Sequence, residues 1–419
     1  MILVFEMIWP GVAHAVTNST MIQTIARGFP EQTVRVFAEA SHLQELHADP
    51  VLLERANVSL HPIAISPHFI FRPQIVSLRR GLRELWTLCR ALGDVPRQEP
   101  CLIMLLSATP TAIFAASFLA RVLRRPIRVQ VGMHGNLNDA FGWRTRNPAA
   151  RAIDLRAALS RRHGGRVRFL VLEHAIKAAL SAQIAGVAEI TDVLPLPINQ
   201  KEAETARPSK LARRVRIGLV GQATEAKGIV AFLSLARQFR RTFPGAVTFH
   251  LVGTPAAGLD PAALDILDDP KPYGELSRPR FLEALERLDY VCLPLQPIYY
   301  GLSASGALID AITWLKPIIA TPVPIVVDLF ARFGDIGILC ADHAAMVTAI
   351  ESLVRSPDQD RYDRQVANLR RIRAGRLPAA LATDYRAIIE RGFPGFMTAS
   401  HRSGAVTPPP GRKQSQHVA

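Results

Sequence analysis

Short apolar runs, each followed by a longer segment of helical character, recur along almost the whole chain. In the first half these runs are Ile2–Phe5, Val34–Ala38, Val58–Ile65, Leu102–Leu106, Ile127–Val131 and Phe169–Leu172. In the second half they are Val215–Val220, Val247–Val252, Tyr290–Leu293 and Pro317–Ala320. Apolar strands that alternate with helices predict a parallel sheet covered by helices on both faces. Because the pattern restarts once, we expect an α/β protein with two such units.

The length of 419 residues also suits two domains. We expect one domain over residues 1–200, a polar linker over 201–214 and a second domain over 215–397. The last helices of the second domain would pack back on the first. Residues 398–419 are rich in Pro, Ser, Gly and basic residues, which predicts a disordered tail. A basic helix is expected near Ala149–Arg162.

One uncharged stretch, Cys101–Ala120, is long enough on paper to span a bilayer. Ser107-Ala108-Thr109-Pro110 interrupts it in the middle. Thr109 can cap a helix that begins at Pro110, because proline has no amide hydrogen to leave unpaired. The stretch therefore predicts a buried strand, a turn and a buried helix.

Positive charge is concentrated in the first half. The formal net charge is +15, and twelve arginines but only two acids lie between Arg121 and Arg168. Such a cluster fits nucleic acid, an anionic membrane surface, a phosphorylated substrate or a solvated basic face. No helix-turn-helix, zinc finger or aromatic-basic sheet motif accompanies it, which argues against nucleic acid. For a membrane, we expect the docking residues to be Arg124, Arg125, Arg128, Arg161 and Arg162.

The four cysteines are scattered and form no Cys-x-x-Cys pair, so the sequence predicts neither a metal site nor a disulfide framework. The apolar N-terminus lacks a basic leader and meets Glu6 at once, which disfavours a secretory signal. We expect a cytoplasmic protein that can associate peripherally with the inner face of the membrane.

Candidate ligand residues follow the strands of the second half, where parallel sheets bind ligands. Gly221, Gln222 and Lys227 come directly after Val215–Val220, and Lys227 at a helix start could reach a diphosphate. This is no P-loop, because no Gly-Lys-Ser/Thr ends it. Tyr273, in a loop before a helix, could touch a base.

A second candidate segment opens the helix after Tyr290–Leu293. Amides near Ser303, Ser305 and Gly306 can hold phosphate oxygens at the positive end of that helix. Asp310 lies four residues after Gly306 on the same face, where a carboxylate can accept both ribose hydroxyls.

Taken in order, these motifs resemble the C-terminal domain of GT-B-fold glycosyltransferases, and most closely the retaining family 4. The stretches that carry the resemblance are Gly221, Lys227-Gly228, Leu251-Val252-Gly253, Gly274, Asp289–Pro294, Asp310-Ala311-Ile312 and Lys316–Ala320. In the first half, Pro10-Gly11-Val12 is similar to the family's acceptor-side loop and Met133-His134-Gly135 to its His-containing loop.

The resemblance implies two Rossmann-like domains that face each other across a cleft. It implies a nucleotide-sugar donor, a saccharide or lipid-linked acceptor, transfer with retention, and no metal or other cofactor. Lys227 would bind the diphosphate, Asp310 the ribose and His134 the transferred sugar. Gly11 and His14 would belong to the acceptor-side loop.

The sequence departs from the family pattern at two positions. Gln222 replaces an arginine of the diphosphate site, and Leu302 stands eight residues before Asp310, in place of the first glutamate. These departures keep open a non-catalytic sugar-nucleotide-binding protein. Two further alternatives are a nucleotide-sugar epimerase of the same fold, which would have the same donor site without an acceptor, and a phosphorylase, which would need pyridoxal phosphate on a lysine.

Overall fold

In a computed structural model the chain forms two parallel β-sheets, one from each half of the sequence. The structure describes residues 1–65, 75–134, 137–142, 146–211, 214–268 and 276–396. The predicted α/β fold class, with two doubly wound units, is confirmed.

The first sheet has seven parallel strands in the order β3-β2-β1-β4-β5-β6-β7. Its strands are β1 (Ile2–Glu6), β2 (Val34–Ala38), β3 (Val58–Pro62), β4 (Cys101–Ser107), β5 (Ile127–Met133), β6 (Val167–Val171) and β7 (Thr191–Val193). The central strand β1 is buried throughout. Ile2 and Val4 pack into one hydrophobic cluster, whereas Leu3 and Phe5 pack into another on the opposite face. Both faces are therefore covered, as the unbroken apolar runs predict.

Ten helices are described in the first half of the chain. They are α1 (Ala15–Gly28), α2 (Ala40–His47), α3 (Pro50–Leu53), α4 (Leu78–Gly93), α5 (Pro110–Val122), α6 (Pro148–Ala152), α7 (Leu155–Ser160), α8 (His174–Gln183), α9 (Val187–Ile190) and α10 (Gln200–Thr205). Core residues of α4, α5 and α7 share the cluster that contains Leu3 and Phe5, so these helices cover one face. Helix α1 covers the other.

The second sheet has five parallel strands in the order β12-β11-β10-β8-β9. They are β8 (Val215–Val220), β9 (Val247–Val252), β10 (Tyr290–Leu293), β11 (Ile318–Ala320) and β12 (Gly337–Leu339). The helices described here are α11 (Ile229–Thr242), α12 (Arg278–Glu286), α13 (Pro297–Tyr300), α14 (Gly306–Thr313), α15 (Pro324–Phe333), α16 (His343–Arg355), α17 (Gln359–Ala374) and α18 (Pro378–Gly392).

Two expectations about elements were wrong. The basic helix near Ala149–Arg162 is instead two short helices, because the Asp154 side chain caps a new helix by accepting a hydrogen bond from the Ala157 amide. The third strand ends at Pro62 rather than Ile65. Helix α10, whose first turn Asn199 caps, overlaps the start of the segment 201–214, and the assignment of that segment as a linker stays a prediction.

The uncharged stretch Cys101–Ala120 is divided as expected. Strand β4 occupies its first part and α5 its second, and Thr109 Oγ1 accepts a hydrogen bond from the Ala112 amide at 3.0 Å. Within the part of the chain that the structure describes, no helix is both long enough and apolar enough to cross a membrane.

The two halves are joined by the C-terminal helices. Helix α18 packs on α1, where the rings of Phe29 and Tyr385 lie 6.0 Å apart and Arg386 donates to the Gly28 carbonyl at 3.0 Å. The buried Arg376 guanidinium makes two hydrogen bonds, 2.6 and 3.0 Å, to the buried Glu173 carboxylate. Removing either charge would leave the other buried without its partner, so this pair ties the halves together.

Each sheet has one topological switch point, where the chain turns from building one edge to building the other. In the first sheet it lies between β1 and β4, and in the second between β8 and β10. Ligands bind preferentially at such points, beyond the carboxyl ends of the strands. Gly221 and Lys227 follow β8, and Ser303 to Asp310 follow β10, so the candidate donor residues flank the second switch point.

Candidate active site

The turn after β8 is shaped by two glycines in left-handed conformations. Gly221 has φ +83°, and a β-carbon there would lie 2.6 Å from Lys227 Nζ. Gly228 has φ +76°, and a β-carbon there would lie 2.1 Å from the Pro294 carbonyl oxygen. Only glycine fits either position. The turn therefore lies directly against the end of β10, with the Lys227 amine held above Gly221.

A short 3₁₀ helix, Glu225–Lys227, fixes the position of Lys227. Thr224 caps it, because its hydroxyl accepts a hydrogen bond from the Lys227 amide at 3.3 Å. The Lys227 amine lies 3.5 Å from the Val220 carbonyl oxygen, at the outer limit of a hydrogen bond. Burial lowers the pKa of this amine, while nearby Asp310 raises it. Among the residues that the structure describes, the Val220 carbonyl is the one hydrogen-bond acceptor of this partly buried ammonium, which leaves donors for a ligand at the switch point.

The start of α14 faces open space. Ser305 is buried and its hydroxyl accepts a hydrogen bond from the Leu308 amide at 3.3 Å, so this side chain serves the helix rather than a ligand. Gly306 is exposed, and a β-carbon there would meet nothing within 4 Å. The Ser303 hydroxyl lies 3.3 Å from the Ala304 carbonyl oxygen. Of the three residues, Gly306 has the room beside it for a phosphate or sugar.

Asp310 belongs to a chain of alternating charges. Arg278 Nη2 lies 3.5 Å from Asp310 Oδ1, and the same guanidinium makes two hydrogen bonds, 2.6 and 3.0 Å, to Glu202. Burial raises the pKa of the Asp310 carboxyl to about 6; Arg278 opposes the rise and Glu202 adds to it. Asp310 and Lys227 influence each other's pKa values. The site therefore contains a row of four charged side chains, in the spatial order Lys227, Asp310, Arg278 and Glu202.

Sequence reasoning missed Arg278 and Glu202. Glu202 lies on α10, in the segment expected as a linker, and only the folded chain brings it against the start of α12. Arg278 comes from the same loop-to-helix junction as Tyr273, which lies outside the described residues. No local motif marks either residue, because their partners are distant in sequence.

Two histidines meet on the first half of the chain. The His14 ring lies 4.3 Å from the His134 ring, edge to face, and 4.7 Å from the Trp9 ring. Burial lowers the pKa of His134 to about 3 and that of His14 to about 4; each pKa is further lowered by a neighbouring histidine. Both rings are therefore neutral at pH 7. His14 has φ +60°, a strained conformation for a residue other than glycine.

The loop after β1, predicted as the acceptor-side loop, rests on a buried polar network that the sequence did not indicate. Glu6, at the end of β1, accepts hydrogen bonds from the Ile8 and Trp9 amides and from Asn18 Nδ2. Asn18 Nδ2 also lies 3.0 Å from His42 Nε2. Burial raises the pKa of Glu6 to about 7 despite these hydrogen bonds. The network fixes the loop that carries Trp9 and leads into His14.

Gly11 is held within the same loop. Its φ is +55°, its amide donates to Ser41 Oγ at 2.9 Å, and its carbonyl lies 2.8 Å from His42 Nδ1. Both polar backbone groups of Gly11 therefore have partners within the protein. At Gly11 the loop can therefore contact a ligand by packing against it, but the amide and carbonyl of Gly11 are not free to hydrogen-bond to that ligand.

The two halves touch beside these residues. Asn138, four residues after His134, donates from Nδ2 to the Tyr299 carbonyl at 2.8 Å. Leu302 is buried in the hydrophobic cluster of the first half, although it belongs to the loop before α14. The loop that precedes Gly306 and Asp310 thus reaches across the cleft to the segment that follows β5.

The structure therefore brings together two groups of predicted residues. Gly221, Lys227 and Asp310 lie in one group, and His14 and His134 lie in the other, with Gly11 in the loop that precedes His14. Gln222 is exposed beside Gly221. The functional roles of all these residues remain predictions.

Of the five predicted docking arginines, two are partly buried and three are exposed. Arg125 donates to the Leu92 carbonyl at 2.7 Å, and Arg128 donates to the Ile127 carbonyl at 3.1 Å and lies over the Phe396 ring. Arg124, Arg161 and Arg162 are exposed.

The sequence and the fold give different results when compared with known proteins. No protein-family model matches the sequence, and no curated protein is significantly similar to it. The fold matches a glycosyltransferase from Rickettsia africae with a TM-score of 0.65 at 10% identity, covering 94% of this chain and 99% of that one. WaaG, a glycosyltransferase involved in lipopolysaccharide biosynthesis, matches at 0.61 and 12% identity, covering 94% and 100%. Anabaena HepE in complex with UDP matches at 0.55 and 14% identity, covering 96% and 98%.

The chain has the GT-B fold. The matches span both sheets, since each covers more than nine tenths of both chains. At 10 to 14% identity they establish the fold alone. In this GT-B fold the charged group near Lys227 lies on the C-terminal side of the cleft, and the neutral histidines lie on the N-terminal side.

Proposed function

We propose that the chain is a glycosyltransferase that moves a sugar from a nucleotide-sugar donor to a saccharide or lipid-linked acceptor, with retention. One observation carries this proposal. The Lys227 ammonium, partly buried at the switch point of the second sheet, stands on the opposite side of the cleft from an uncharged histidine pair. Such a site suits a ligand with an anionic end and a neutral end, as a nucleotide sugar has.

The anionic end would bind at the turn after β8. Gly221 allows a diphosphate to approach the backbone, and Lys227 would supply positive charge where the leaving nucleoside diphosphate gains negative charge. Amides at the open start of α14, beside Gly306, would add hydrogen bonds and the positive end of the helix dipole. The neighbouring Asp310 would accept the ribose hydroxyls. HepE has been solved with UDP and with UDP-glucose, so a uridine nucleotide is the first donor to test.

The neutral end would lie against His134. Because burial keeps the imidazole of His134 uncharged, it can donate one hydrogen bond and accept another without titrating at neutral pH. In the transfer, the bond from the anomeric carbon to the diphosphate breaks and a bond to the acceptor oxygen forms. The acceptor proton passes to the departing phosphate. The Glu6 carboxylate already accepts hydrogen bonds from loop amides, and we assign it no role as a base.

Arg278 would compensate for the missing arginine at Gln222. The guanidinium is 38% exposed and reaches the same carboxylate, Asp310, that interacts with Lys227. A second cation can stabilise the same diphosphate even when it belongs to a different element of the fold, as Arg278 does on α12. Glu202 accepts two hydrogen bonds from Arg278. It would therefore determine how strongly the positive charge of Arg278 acts on the donor diphosphate.

A second candidate is a sugar-nucleotide-binding protein without transfer activity. Leu302 favours it, because this apolar side chain is buried in the N-terminal core where the resembling family has a glutamate. The two candidates share a donor site and differ only in turnover.

Donor turnover separates them. We expect the purified protein to release UDP from a UDP-sugar when a panel of saccharide and lipid-linked acceptors is present, and to release little without them. Conversion of the donor sugar without UDP release would indicate an epimerase. Binding without turnover on any acceptor would favour the non-catalytic candidate. If no nucleotide sugar raised the melting temperature or was consumed, the donor site itself would be refuted.

A further inference from the structure

Helix α4 has an unusual distribution of polar and apolar side chains. Arg80 and Glu84 are buried at 4% and 7% exposure, whereas Leu78, Leu82 and Trp86 are exposed at 80%, 58% and 61%. The three apolar residues are spaced four apart, so they form one stripe along the outside of the helix. A helix on the surface of a globular protein normally places such a stripe against the core.

The buried side of α4 fixes this orientation. The Glu84 carboxylate accepts hydrogen bonds from the Thr109 and Thr111 hydroxyls at the start of α5, and Arg80 Nε lies 3.3 Å from it. A β-carbon on Gly81 would lie 3.5 Å from the Thr111 side chain, so the two helices are in close contact. Turning the apolar stripe inward would unpair a buried carboxylate at large cost. The stripe is therefore a stable feature of the surface.

Helix α5 extends the apolar surface. Phe114, Phe118 and Val122 are 43%, 46% and 48% exposed, and the two phenyl rings are stacked with centroids 6.5 Å apart. Helices α4 and α5 pack against each other and cover the same face of the first sheet. We call the following six residues the outer ridge: Leu78, Leu82, Trp86, Phe114, Phe118 and Val122.

The exposed charges beside the outer ridge are mostly positive; the exposed acid Asp94, directly after α4, is paired with Arg35 at 3.0 Å. Exposed arginines accompany it on both helices: Arg79, Arg83, Arg90 and Arg121. The Arg90 guanidinium lies 5.4 Å from the centre of the Trp86 ring. Across α4 and α5, all of whose residues the structure describes, the only acid is the buried Glu84. A groove of about 330 Å³ beside Phe114 and Phe118 is bordered by Arg121 and by two more exposed cations, Arg161 and Arg162.

We propose that the outer ridge docks this chain onto an anionic lipid bilayer. Apolar side chains enter the boundary between headgroups and acyl chains, while arginines beside them meet lipid phosphates. A second copy of the chain fits less well. A twofold contact places the same patch on both sides, so the four exposed arginines of one copy would face those of the other, while the acid at the edge of the patch, Asp94, is already paired with Arg35. Nucleic acid would leave the apolar stripe without a partner. The inference does not depend on sugar transfer.

Vesicle binding by the full chain tests the proposal. We expect co-sedimentation with phosphatidylcholine vesicles that contain phosphatidylglycerol, weaker binding to phosphatidylcholine alone, and weaker binding as salt is raised. The double variant Leu82→Ser/Trp86→Ser should lose about tenfold or more in affinity, because two exposed apolar side chains no longer enter the bilayer. Leu53→Ser is its control, since Leu53 is 52% exposed on α3, away from the ridge. Arg79→Ala/Arg83→Ala should lose several-fold, and the exposed pair Arg237→Ala/Arg241→Ala on α11 should lose nothing.

Position is tested with brominated lipids, which quench tryptophans that reach the acyl chains. We expect quenching in the parent protein and its loss in Trp86→Phe, which keeps an aromatic side chain on the ridge and should still bind. Failure of the parent protein to bind anionic vesicles would overturn the proposal. So would equal binding by the ridge variant and Leu53→Ser. If the ridge variant instead converted a dimer to a monomer in sedimentation velocity while vesicle binding was absent, the ridge would be an interface between copies.

Discussion

The two sides of the cleft differ in charge although they are built on similar sheets. On the C-terminal side, Lys227, Asp310, Arg278 and Glu202 alternate in sign around one switch point. On the N-terminal side, the rings of His14 and His134, which meet edge to face, are neutral because burial lowers their pKa values well below 7. Two sides of the same charge would favour a ligand of uniform polarity. This difference suits a ligand that is anionic at one end and neutral at the other.

The largest expected effect is on the charged side. Lys227→Ala should weaken UDP about tenfold to a hundredfold, because a charged hydrogen-bond donor to the diphosphate is lost. Uridine, which has no phosphate, should bind nearly as it does to the parent protein. Calorimetric titration measures both ligands. Lys210→Ala is the matched control, since Lys210 is exposed in the segment between the sheets. Equal losses for UDP and uridine would show that Lys227 does not face the phosphates.

The pKa of Asp310 gives the next effect. This carboxyl titrates at about 6, so it is ionised above that pH and protonated below it. Only the ionised form offers both oxygens as strong acceptors, so uridine affinity should fall about tenfold as the pH drops through 6. Uridine is the right probe because it has no phosphate that titrates in this range.

Asp310→Asn should bind uridine weakly at every pH and abolish this dependence. Asp328→Asn is the control, because the two side chains are similarly exposed, at 24% and 22%, and each is paired with an arginine. A pH profile that survives in Asp310→Asn would move the titrating group elsewhere.

A smaller effect is expected at Glu202. Glu202→Gln removes one negative charge from the cluster and releases Arg278 toward the donor, so UDP should bind about twofold to fivefold more tightly at low salt. Raising the salt should diminish the gain. Glu204→Gln, two residues further along α10 and exposed, should change nothing. Weaker UDP binding in Glu202→Gln would mean that Arg278 contributes only while Glu202 holds it.

The smallest change in UDP affinity should come from the neutral side. His134→Ala should leave UDP binding unchanged and lower the rate of transfer about threefold to tenfold, the usual value of one neutral hydrogen bond. The pH dependence of transfer above pH 5 should not involve this histidine, since its pKa is about 3. His343→Ala, an exposed histidine on α16, is the control. A large loss of UDP affinity in His134→Ala would show that the nucleotide binds beside His134, on the N-terminal side of the cleft, contrary to the proposal.

The sequence predicted most of the fold because its strands are buried on both faces. Val34–Ala38, Val215–Val220, Val247–Val252 and Tyr290–Leu293 agree with the structure at both ends. It predicted less of the site. Lys227 lies in the turn after β8 and Asp310 near the start of α14, the helix that opens beyond β10, where position alone suggests a role. Glu202 and Arg278 are 76 residues apart, and Glu6 acts through loop amides, so no local pattern marks them.

The orientation of α4, which exposes the outer ridge, could not be predicted from the sequence either. Apolar residues on both sides of α4 predict a helix and do not say which side faces the core. That choice depends on Glu84, whose carboxylate meets the hydroxyls of Thr109 and Thr111 after a loop and a strand. Long-range pairing of buried polar groups decided the orientation, and it cannot be read from helical spacing.

Hydrogen exchange with UDP and with UDP-glucose tests the central claim most directly. The claim is that the nucleotide binds the charged C-terminal side and the sugar reaches the neutral N-terminal side. UDP should protect backbone amides after β8 and at the start of α14. UDP-glucose should protect these and also the end of β5 near His134 and the loop that contains Gly11. Protection confined to the second half of the chain with both ligands would contradict a site shared by the two sides.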